Sequence, residues 1–248
     1  MIPFPALQDE NGKYLIEKHT ILTSPSIQVL QLTHQQRNLV SGKDALIVGN
    51  PTMPKVPLKI GETPQQLPPL PGAEQEAKAI ASLFQTTAIT GSQATKAAIL
   101  QKISQARIVH LATHGLLDDF KGLGVPGAIA LAPSGQDNGL LTSNEILDLK
   151  LNTELVVLSA CNTGRGRITG DGVIGLSRAL ITAGVPSVLV SLWSVPDSPT
   201  ASLMTEFYQN IRKNPDKARA LREAMLNTMK QHPNPVDWAA FTLIGEAE

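Results

Sequence analysis

Short apolar runs alternate with segments of helical periodicity along most of this 248-residue chain. A strand that is followed by a helix and then by another strand needs a crossover connection, which places the two strands parallel in one sheet. The nearly continuous apolar character of LVVL and SVLV indicates strands that are covered on both faces. The chain is therefore predicted to be an α/β protein with a mostly parallel central sheet. The clearest strands are expected at residues 45–50, 107–115, 155–162 and 187–193.

The remaining elements are predicted from periodicity and from turn residues. AIALAP and GLLT are expected to form a hairpin across SGQDNG, and Ser143 is the candidate N-cap of the short helix that follows. Gly184 is expected to end a helix. A proline-rich segment, residues 51–72, is predicted to be an extended loop on the surface. Further helices are expected at residues 73–84, 94–103, 171–184, 198–214 and 215–232, and short strands at 87–90 and 239–245.

Composition restricts the class of protein. Lysine and arginine together number 21, as do aspartate and glutamate, so neither a nucleic acid nor an anionic membrane is expected as a partner. A single cysteine excludes an internal disulfide bond, so nothing requires an oxidising compartment. MIPFPALQDE lacks the basic and apolar parts of a signal peptide, and the apolar runs have the length of strands. These features predict a cytoplasmic protein without a membrane span.

A histidine and the only cysteine each stand at the end of a predicted strand. RIVHLATHG leads to His114, and LVVLSAC leads to Cys161. The carboxyl ends of parallel strands meet at one edge of a sheet, where ligands bind, so neighbouring strands would bring the two side chains together. A thiol beside an imidazole is the minimal nucleophile and base for acyl transfer. The backbone N–H groups of Gly115 and Cys161 are candidate donors to an oxyanion.

Each of these residues also has a structural interpretation. A lone cysteine in an apolar strand is usually a small buried side chain. A histidine at a strand end is often held only by structural hydrogen bonds, and His110 within the same strand is expected to pack or to support its neighbours. The residues alone leave the catalytic and the structural interpretations open.

Two motifs, IVHLATHG and VVLSACNTGRG, resemble the histidine and cysteine motifs of the CHAT domain family, which are caspase-like domains often fused to tetratricopeptide repeats in bacteria. The resemblance covers nearly the whole chain, because YLIEKHTILTSPSIQVL, ALIVGNP, LPPLPGAEQEAKAI, GVIGLSRALITAGVPSVLVSLWSVPD and HPNPVDWAAFTLIG occur in the family's order. His114 precedes Cys161 by 47 residues. This spacing is close to the roughly 50 residues that separate the two in caspases.

The resemblance implies a caspase–haemoglobinase-like three-layer sandwich, formed as a single domain by residues 1–248. It also implies a cysteine endopeptidase in which Cys161 is the nucleophile and His114 the general base or ion-pair partner. Gly115 and Cys161 would then supply the oxyanion N–H groups. The residue after the cysteine is often acidic in the family, whereas here it is Asn162, which changes the local charge and leaves the dyad intact.

Three residues are candidates for the substrate pocket. In related separase-type enzymes an acidic residue beside the cysteine strand selects a basic side chain before the scissile bond, and Asp197 resembles that residue. Asp197 is equally suited to cap the helix that it precedes. Trp193 is a candidate pocket wall, although interior packing is the commoner role of such a ring. Asp171 is a second acidic candidate, for which helix capping is the favoured role.

The glycines after the cysteine do not indicate a nucleotide. TGRGRITGDG lacks the ending of a P-loop and does not fit GxGxxG after a strand. Arg165 and Arg167 in this stretch are interpreted as solvated side chains or as sites of self-cleavage by an enzyme that prefers basic residues. His110 and His114 share one face of a strand, but no acidic third ligand lies nearby in sequence. Neither a metal nor a cofactor is expected.

The family resemblance also bears on partners. Family members usually have another strand before PFPALQDENGKYL, so the chain is expected to be the C-terminal part of a longer protein with upstream tetratricopeptide repeats or a regulatory protein as partner. The sheet edge exposed without that strand favours a homodimer. The expected substrate is a protein or peptide. The alternatives are a catalytically silent caspase-like interaction module in a signalling assembly and, less favoured, another α/β cysteine hydrolase such as a thioesterase.

Overall fold

The computed structural model describes residues 2–57, 62–116, 127–159, 170–193 and 195–248, and of residues 170–174 it describes the backbone alone. Within these ranges, eleven strands and nine α-helices follow a 3₁₀ turn at Phe4–Ala6. The strands are β1 (Asp44–Pro51), β2 (Lys55–Val56), β3 (Gln65–Gln66), β4 (Ile89–Gly91), β5 (Ala106–Ala112), β6 (Gly115–Leu116), β7 (Ala128–Ala130), β8 (Leu140–Thr142), β9 (Leu155–Leu158), β10 (Ser187–Ser191) and β11 (Phe241–Gly245). The helices are α1 (Leu15–Lys18), α2 (Ile27–Arg37), α3 (Pro71–Leu83), α4 (Lys96–Ile103), α5 (Ser143–Leu147), α6 (Gly170–Thr182), α7 (Asp197–Lys213), α8 (Lys217–Gln231) and α9 (Pro235–Trp238).

Six strands form the central sheet in the order β11-β10-β9-β5-β1-β4. Neighbours from β4 to β10 are parallel, and β11 pairs with β10 in the antiparallel direction. The reversal follows from the connection: two long helices, α7 and α8, separate β10 from β11, so the chain returns to the end of the sheet from which it left. The predicted α/β fold with a mostly parallel central sheet is confirmed.

Helices cover both faces of this sheet. In β9, Val156 and Leu158 face one apolar core together with residues of α4, α5 and α6. Leu155 and Val157 face the opposite core, which contains residues of α3, α7 and α8. This alternation with a period of two is the pattern of a strand that is buried on both faces. The result is the three-layer sandwich that the family resemblance implies.

The proline-rich segment is not simply a surface loop, as the sequence leads one to expect. It contains the β2–β3 hairpin, and α3 already begins at Pro71. Met53, Val56 and Leu67 are buried in a third apolar cluster, where they meet Leu116 of a small antiparallel sheet of β6, β7 and β8. Those apolar side chains anchor the segment to the domain, although most of its described residues, such as Gln65 and Gln66, are exposed as expected.

Of two predicted helix ends, the start of α5 is corrected by the structure and the end of α6 is confirmed. The N-cap of α5 is Thr142 and not Ser143, because the Thr142 hydroxyl accepts from the Glu145 N–H while the Glu145 carboxylate accepts from Thr142. Ser143 is the first helical residue. Gly184 does follow the end of α6 and has a φ of 110°, which favours glycine.

One outer edge of the sheet is partly covered by the N-terminal part of the chain. The Thr23 N–H donates to the Leu243 carbonyl, and the Gly245 N–H donates to the Thr23 carbonyl, both at 3.0 Å. The Thr23 hydroxyl also donates to the Leu243 carbonyl at 2.7 Å. The edge strand β11 is therefore not fully open, and the dimer expected from an exposed edge stays a prediction.

Candidate active site

The two strands that lead to His114 and Cys161 are neighbours. β5 and β9 are parallel, and their register pairs Leu111 with Leu158. In the sequence, His114 comes three residues after Leu111, and Cys161 comes three residues after Leu158. The expectation of neighbouring strands is confirmed. Cys161 itself lies outside the described residues, so the meeting of the two side chains stays a prediction.

His114 is completely buried, and a main-chain carbonyl orients its ring. Its Nε2 lies 2.7 Å from the carbonyl oxygen of Pro68. A carbonyl oxygen only accepts hydrogen bonds, so Nε2 carries the hydrogen, and Nδ1 is the basic nitrogen of the neutral ring. The partner is 46 residues away in sequence. Nothing in the sequence around either residue indicates this contact.

Residues 68–76, which we call the approach segment, run from Pro68 into the first turns of α3. Asn50, directly before the end of β1, holds this segment through its side-chain amide. Its Oδ1 accepts from the Leu70 N–H at 2.8 Å, and its Nδ2 donates to Glu74 at 3.1 Å. Asn50 has a φ of 45°, in the left-handed region that asparagine tolerates better than most residues. Asn50 was not among the residues predicted for the site.

The main chain around His114 is held by the small sheet. The Ala130 N–H donates to the His114 carbonyl at 2.9 Å, and the Thr113 hydroxyl donates to the Ala130 carbonyl at 2.7 Å. Gly115 begins β6 directly after the histidine and pairs with Ile129. The backbone on both sides of His114 is thus fixed at the carboxyl edge of the sheet. Whether the N–H groups of Gly115 and Cys161 converge on one oxyanion stays a prediction.

Asp197 is exposed and is the first residue of α7. The expectation that it caps this helix is wrong, because the N-cap position is occupied by Pro196 and no side-chain capping bond is formed. Its carboxyl group instead lies against Gly72, where an added Cβ would overlap it. Gly72 belongs to the approach segment, so that segment contacts both His114, through Pro68, and Asp197.

The other predicted pocket residues are less directly connected to this edge. The ring of Trp193 packs against the core that contains α7 and α8, and its indole N–H donates to the Val236 carbonyl at 2.9 Å. Asp171 is the second residue of α6 rather than the residue before it, and its side chain lies outside the described part of the chain. Asn162, Arg165 and Arg167 also lie outside the described residues.

His110 is completely buried in the layer between the sheet and helices α3 and α7. Its Nδ1 lies 3.1 Å from the Tyr208 hydroxyl. Its Nε2 lies 3.1 Å from Glu76 Oε1, within ion-pair distance but without the alignment of a hydrogen bond. The packing role expected for His110 is confirmed, whereas neither Glu76 nor Tyr208 was predicted as a partner.

Among the described residues, no group of three or more His, Cys, Asp or Glu side chains is arranged to hold a metal ion. None of the helices in the same ranges combines the length and the apolar character needed to cross a bilayer.

A family model described as the CHAT domain matches residues 1–246. The chain belongs to the CHAT domain family. This CHAT domain is 30% identical over 286 aligned residues to tetratricopeptide repeat protein 28 of Mus musculus, and 32% identical over 286 to the protein of that name in Homo sapiens. The alignments cover 98% and 99% of this chain, but only 12% and 11% of those proteins.

Two solved structures share the fold of this CHAT domain. One is the Arg-specific cysteine proteinase gingipain R (RgpB) of Porphyromonas gingivalis, with a TM-score of 0.57 and 13% identity, covering 90% of this chain and 52% of that chain. The other is the Saccharomyces cerevisiae separase–securin complex, with a TM-score of 0.57 and 13% identity, covering 98% of this chain and 14% of that chain. At this identity the likeness supports the caspase-like fold alone.

Proposed function

We propose that this CHAT domain is a cysteine endopeptidase whose catalytic dyad is His114 and Cys161. The observation that carries the proposal is the register of β5 and β9. Two parallel neighbours are paired at Leu111 and Leu158, and the imidazole and the thiol follow at equal distances along the chain. The carboxyl edge of an open parallel sheet is also where substrates bind in such folds.

The bond from His114 to Pro68 defines the proposed proton transfer. With Nε2–H donated to the carbonyl, Nδ1 takes the proton of the Cys161 thiol. The thiolate attacks the carbonyl carbon of the scissile peptide, and the carbon–sulfur bond forms. As the tetrahedral intermediate collapses, the amine leaves with the proton held by His114. Water then attacks the thioester, which releases the acid and regenerates the thiol.

The N–H groups of Gly115 and Cys161 are the proposed donors to the oxyanion of that intermediate. This role needs a main chain that does not move during the reaction. The bonds of Ala130 to the His114 carbonyl and to the Thr113 hydroxyl support such rigidity.

The proposed preference is for substrates with arginine or lysine before the scissile bond. Asp197 is an exposed acidic residue that borders the approach segment, which also contacts His114. Trp193 on the preceding segment is the proposed pocket wall, and Asp171 is a secondary acidic candidate. The name of gingipain R describes that enzyme as Arg-specific, which is compatible with this preference.

We expect the activity to be regulated. The side chain of His114 has no exposed surface, so a substrate contacts this ring only after the residues that cover it move. The relatives are named for tetratricopeptide repeats, and repeats of this kind or a regulatory protein are the proposed source of that control. Because a chain with one cysteine cannot form an internal disulfide, a cytoplasmic location is proposed as well.

The same burial supports the second candidate, a catalytically silent module that binds protein partners. The names of the mouse and human relatives refer to the repeats and to no enzymatic activity. In that case His114 would serve only to hold Pro68 and the approach segment in place.

One labelling experiment separates the two candidates. The protein is incubated with a peptidyl electrophile that carries arginine before the reactive group, and the intact mass is measured. Because Cys161 is the only cysteine, a single adduct that is absent from Cys161→Ala is expected. The initial rate is expected to fall about 100-fold in His114→Ala, because a general base contributes about 10²- to 10⁴-fold.

The matched control is iodoacetamide, which needs no substrate pocket. Asp197→Ala is expected to slow the arginine electrophile while leaving the iodoacetamide rate unchanged. Equal slowing of both reagents would refute the pocket role of Asp197. A wild-type protein that reacts with neither reagent faster than a free cysteine would refute the endopeptidase and favour the silent module.

A further inference from the structure

A group of three polar side chains is buried beneath the proposed catalytic edge, where the reaction makes no use of it. Glu76 of α3, His110 of β5 and Tyr208 of α7 are 3%, 0% and 0% exposed. Each ring nitrogen of His110 faces a different helix, because Tyr208 lies at Nδ1 and Glu76 lies at Nε2, both at 3.1 Å. We call these three residues the buried polar group.

The chemistry of the group defines one arrangement of protons. Burial raises the pKa of the Tyr208 hydroxyl well above its usual range, and the nearby Glu76 carboxyl raises it further, so Tyr208 keeps its proton. A protonated hydroxyl donates to Nδ1 of His110, which places the ring hydrogen on Nε2, within 3.1 Å of Glu76 Oε1 but without the alignment of a hydrogen bond. Three elements are thus joined at one imidazole.

The buried polar group and the proposed catalytic histidine both contact the approach segment, and both histidines lie in or directly after β5. His110 and His114 lie four residues apart around the end of β5, about 13 Å along an extended chain. Pro68 and Glu76 are the first and last residues of the approach segment. His114 therefore bonds to the start of that segment, and His110 lies within ion-pair distance of its end, so the segment contacts β5 and the residues after it at two points.

Tyr208 extends the connection to α7, the helix that begins at Asp197. Its ring also packs edge-on against Phe84 at the end of α3, with centroids 5.3 Å apart. At the other end of the same two helices, Asp197 packs against Gly72. The relative position of α3 and α7 is therefore fixed both at the proposed pocket and at the buried polar group.

From this geometry we propose that Glu76, His110 and Tyr208 are positioning residues, which hold the approach segment against β5 so that Pro68 keeps the His114 ring in its Nε2–H form. The expected effect on catalysis rests on the proposed endopeptidase function. The expected effect on the His114 tautomer does not. A well-packed apolar trio would fill the same volume without the desolvation that buried polar groups incur. A purely structural role therefore does not require these residue types.

The first test measures the tautomer of His114 and needs no activity. Nitrogen spectra of ¹⁵N-histidine-labelled protein distinguish protonated from unprotonated ring nitrogens, and His114→Asn assigns the signal. In Tyr208→Phe, which keeps every ring contact, the Nε2–H form of His114 is expected to fall to about half of the molecules, since the hydroxyl bond that fixes His110 is lost. Tyr14→Phe is the matched control, because its ring packs on Trp238 away from the group, and no change is expected.

Glu76 supplies a second pair of variants in case one substitution prevents folding. Glu76→Ala is expected to shift the His114 tautomer as Tyr208→Phe does, whereas Glu76→Gln keeps an oxygen of similar position and is expected to restore most of the Nε2–H signal. An unchanged His114 tautomer in folded Tyr208→Phe and Glu76→Ala would overturn the positioning role.

The second test measures peptide hydrolysis. In Tyr208→Phe, kcat is expected to fall about tenfold with an unchanged KM, because a misplaced catalytic group costs up to about 100-fold in rate. A fall in kcat that Tyr14→Phe reproduces would refute the proposal. Failure of the proposed function is a separate result: the wild type then neither labels Cys161 nor cleaves peptide, while the tautomer of His114 still responds to Tyr208→Phe.

Discussion

At the scale of single residues, Asn50 supports the candidate site by holding the approach segment through two hydrogen bonds. Its Oδ1 accepts from the Leu70 N–H, which has no helical partner before α3 begins, and its Nδ2 donates to the Glu74 carboxyl. Its left-handed backbone turns the chain out of β1 at the point where these bonds form. The two properties together explain why an asparagine occupies this position.

Asn50→Ala is expected to lower the free energy of unfolding by about 3 kcal/mol, from two lost hydrogen bonds and a strained left-handed backbone. Asn50→Gly loses the same bonds without the strain and is expected to lose about 1 kcal/mol less. Urea denaturation checks both values. A glycine variant that is less stable than the alanine variant would contradict this account of Asn50.

The sequence predicts the residues of the site better than their partners. The apolar residues before His114 and the glycine after it predict that His114 stands at the end of a strand. The Pro68 carbonyl was not predicted, since any residue has a carbonyl and only the fold brings this one to the ring. The same holds for the carboxyl of Asp197, whose contact with Gly72 depends on two helices that are distant in sequence.

At the scale of secondary-structure elements, the close approach of α3 to β1 determines where the approach segment lies. A Cβ at Gly49 would overlap the Ala73 carbonyl and the Ala77 methyl, so the helix lies directly on the main chain of the strand. Small residues on both sides make this approach possible. Glycine is needed here for space, since its backbone is that of an ordinary strand.

Gly49→Ala is expected to destabilise the protein by about 3 kcal/mol, the upper part of the range for overpacking, because backbone atoms cannot move aside. Gly91→Ala is the matched control. Gly91 has open space around its Cα but a φ of 57°, so about 1 kcal/mol is expected from strain alone. Thermal or urea unfolding of both variants provides the comparison. Equal losses would show that α3 can move away from β1 at little cost.

The sequence predicts the order of most elements, but not all pairings. The alternation of strands and helices was sufficient to predict that most neighbouring strands are parallel. The antiparallel direction of β11 was not predicted, although two consecutive predicted helices before it already imply a return. β6 was not predicted, because a strand of two residues is too short to show an alternation of polar and apolar side chains. The burial of Met53, Val56 and Leu67 was not predicted, because the prolines around them indicate a loop.

At the scale of the whole molecule, an ionic cluster secures the end of the sheet opposite the candidate site. Glu154, just before β9, accepts from Arg107 of β5 at 2.6 Å and from Lys217 at the start of α8 at 3.2 Å. Burial raises the pKa of Glu154, but the two cations outweigh it, so the pKa lies below its ordinary value. Burial lowers the pKa of Lys217, and the nearby Glu154 carboxylate, which raises that pKa, offsets this only in part.

Glu154→Gln is expected to cost about 3 kcal/mol at pH 7, because it leaves the buried Lys217 ammonium without its carboxylate. A carboxyl with a lowered pKa in the folded state stabilises above its unfolded pKa, and this contribution disappears as the pH falls through the folded value. The difference between wild type and variant should therefore shrink below about pH 4.

Urea titrations at pH 7 and pH 3 measure this difference. The control is Glu223→Gln, which breaks an exposed pair with Arg219 and is expected to change stability by at most about 0.5 kcal/mol at either pH. A Glu154→Gln loss of equal size at both pH values would exclude the proposed charge effect.

The bridge between Thr23 and Leu243 has a consequence for the time course of folding. Its partners are separated by 220 residues, so most of this CHAT domain lies between the two halves of one contact. Contacts of such long sequence separation form slowly, because the intervening chain must be ordered before they are gained. During synthesis, the outermost strand and the segment that covers it can join only after residue 245 has left the ribosome, which makes this edge the last part of the sheet to close.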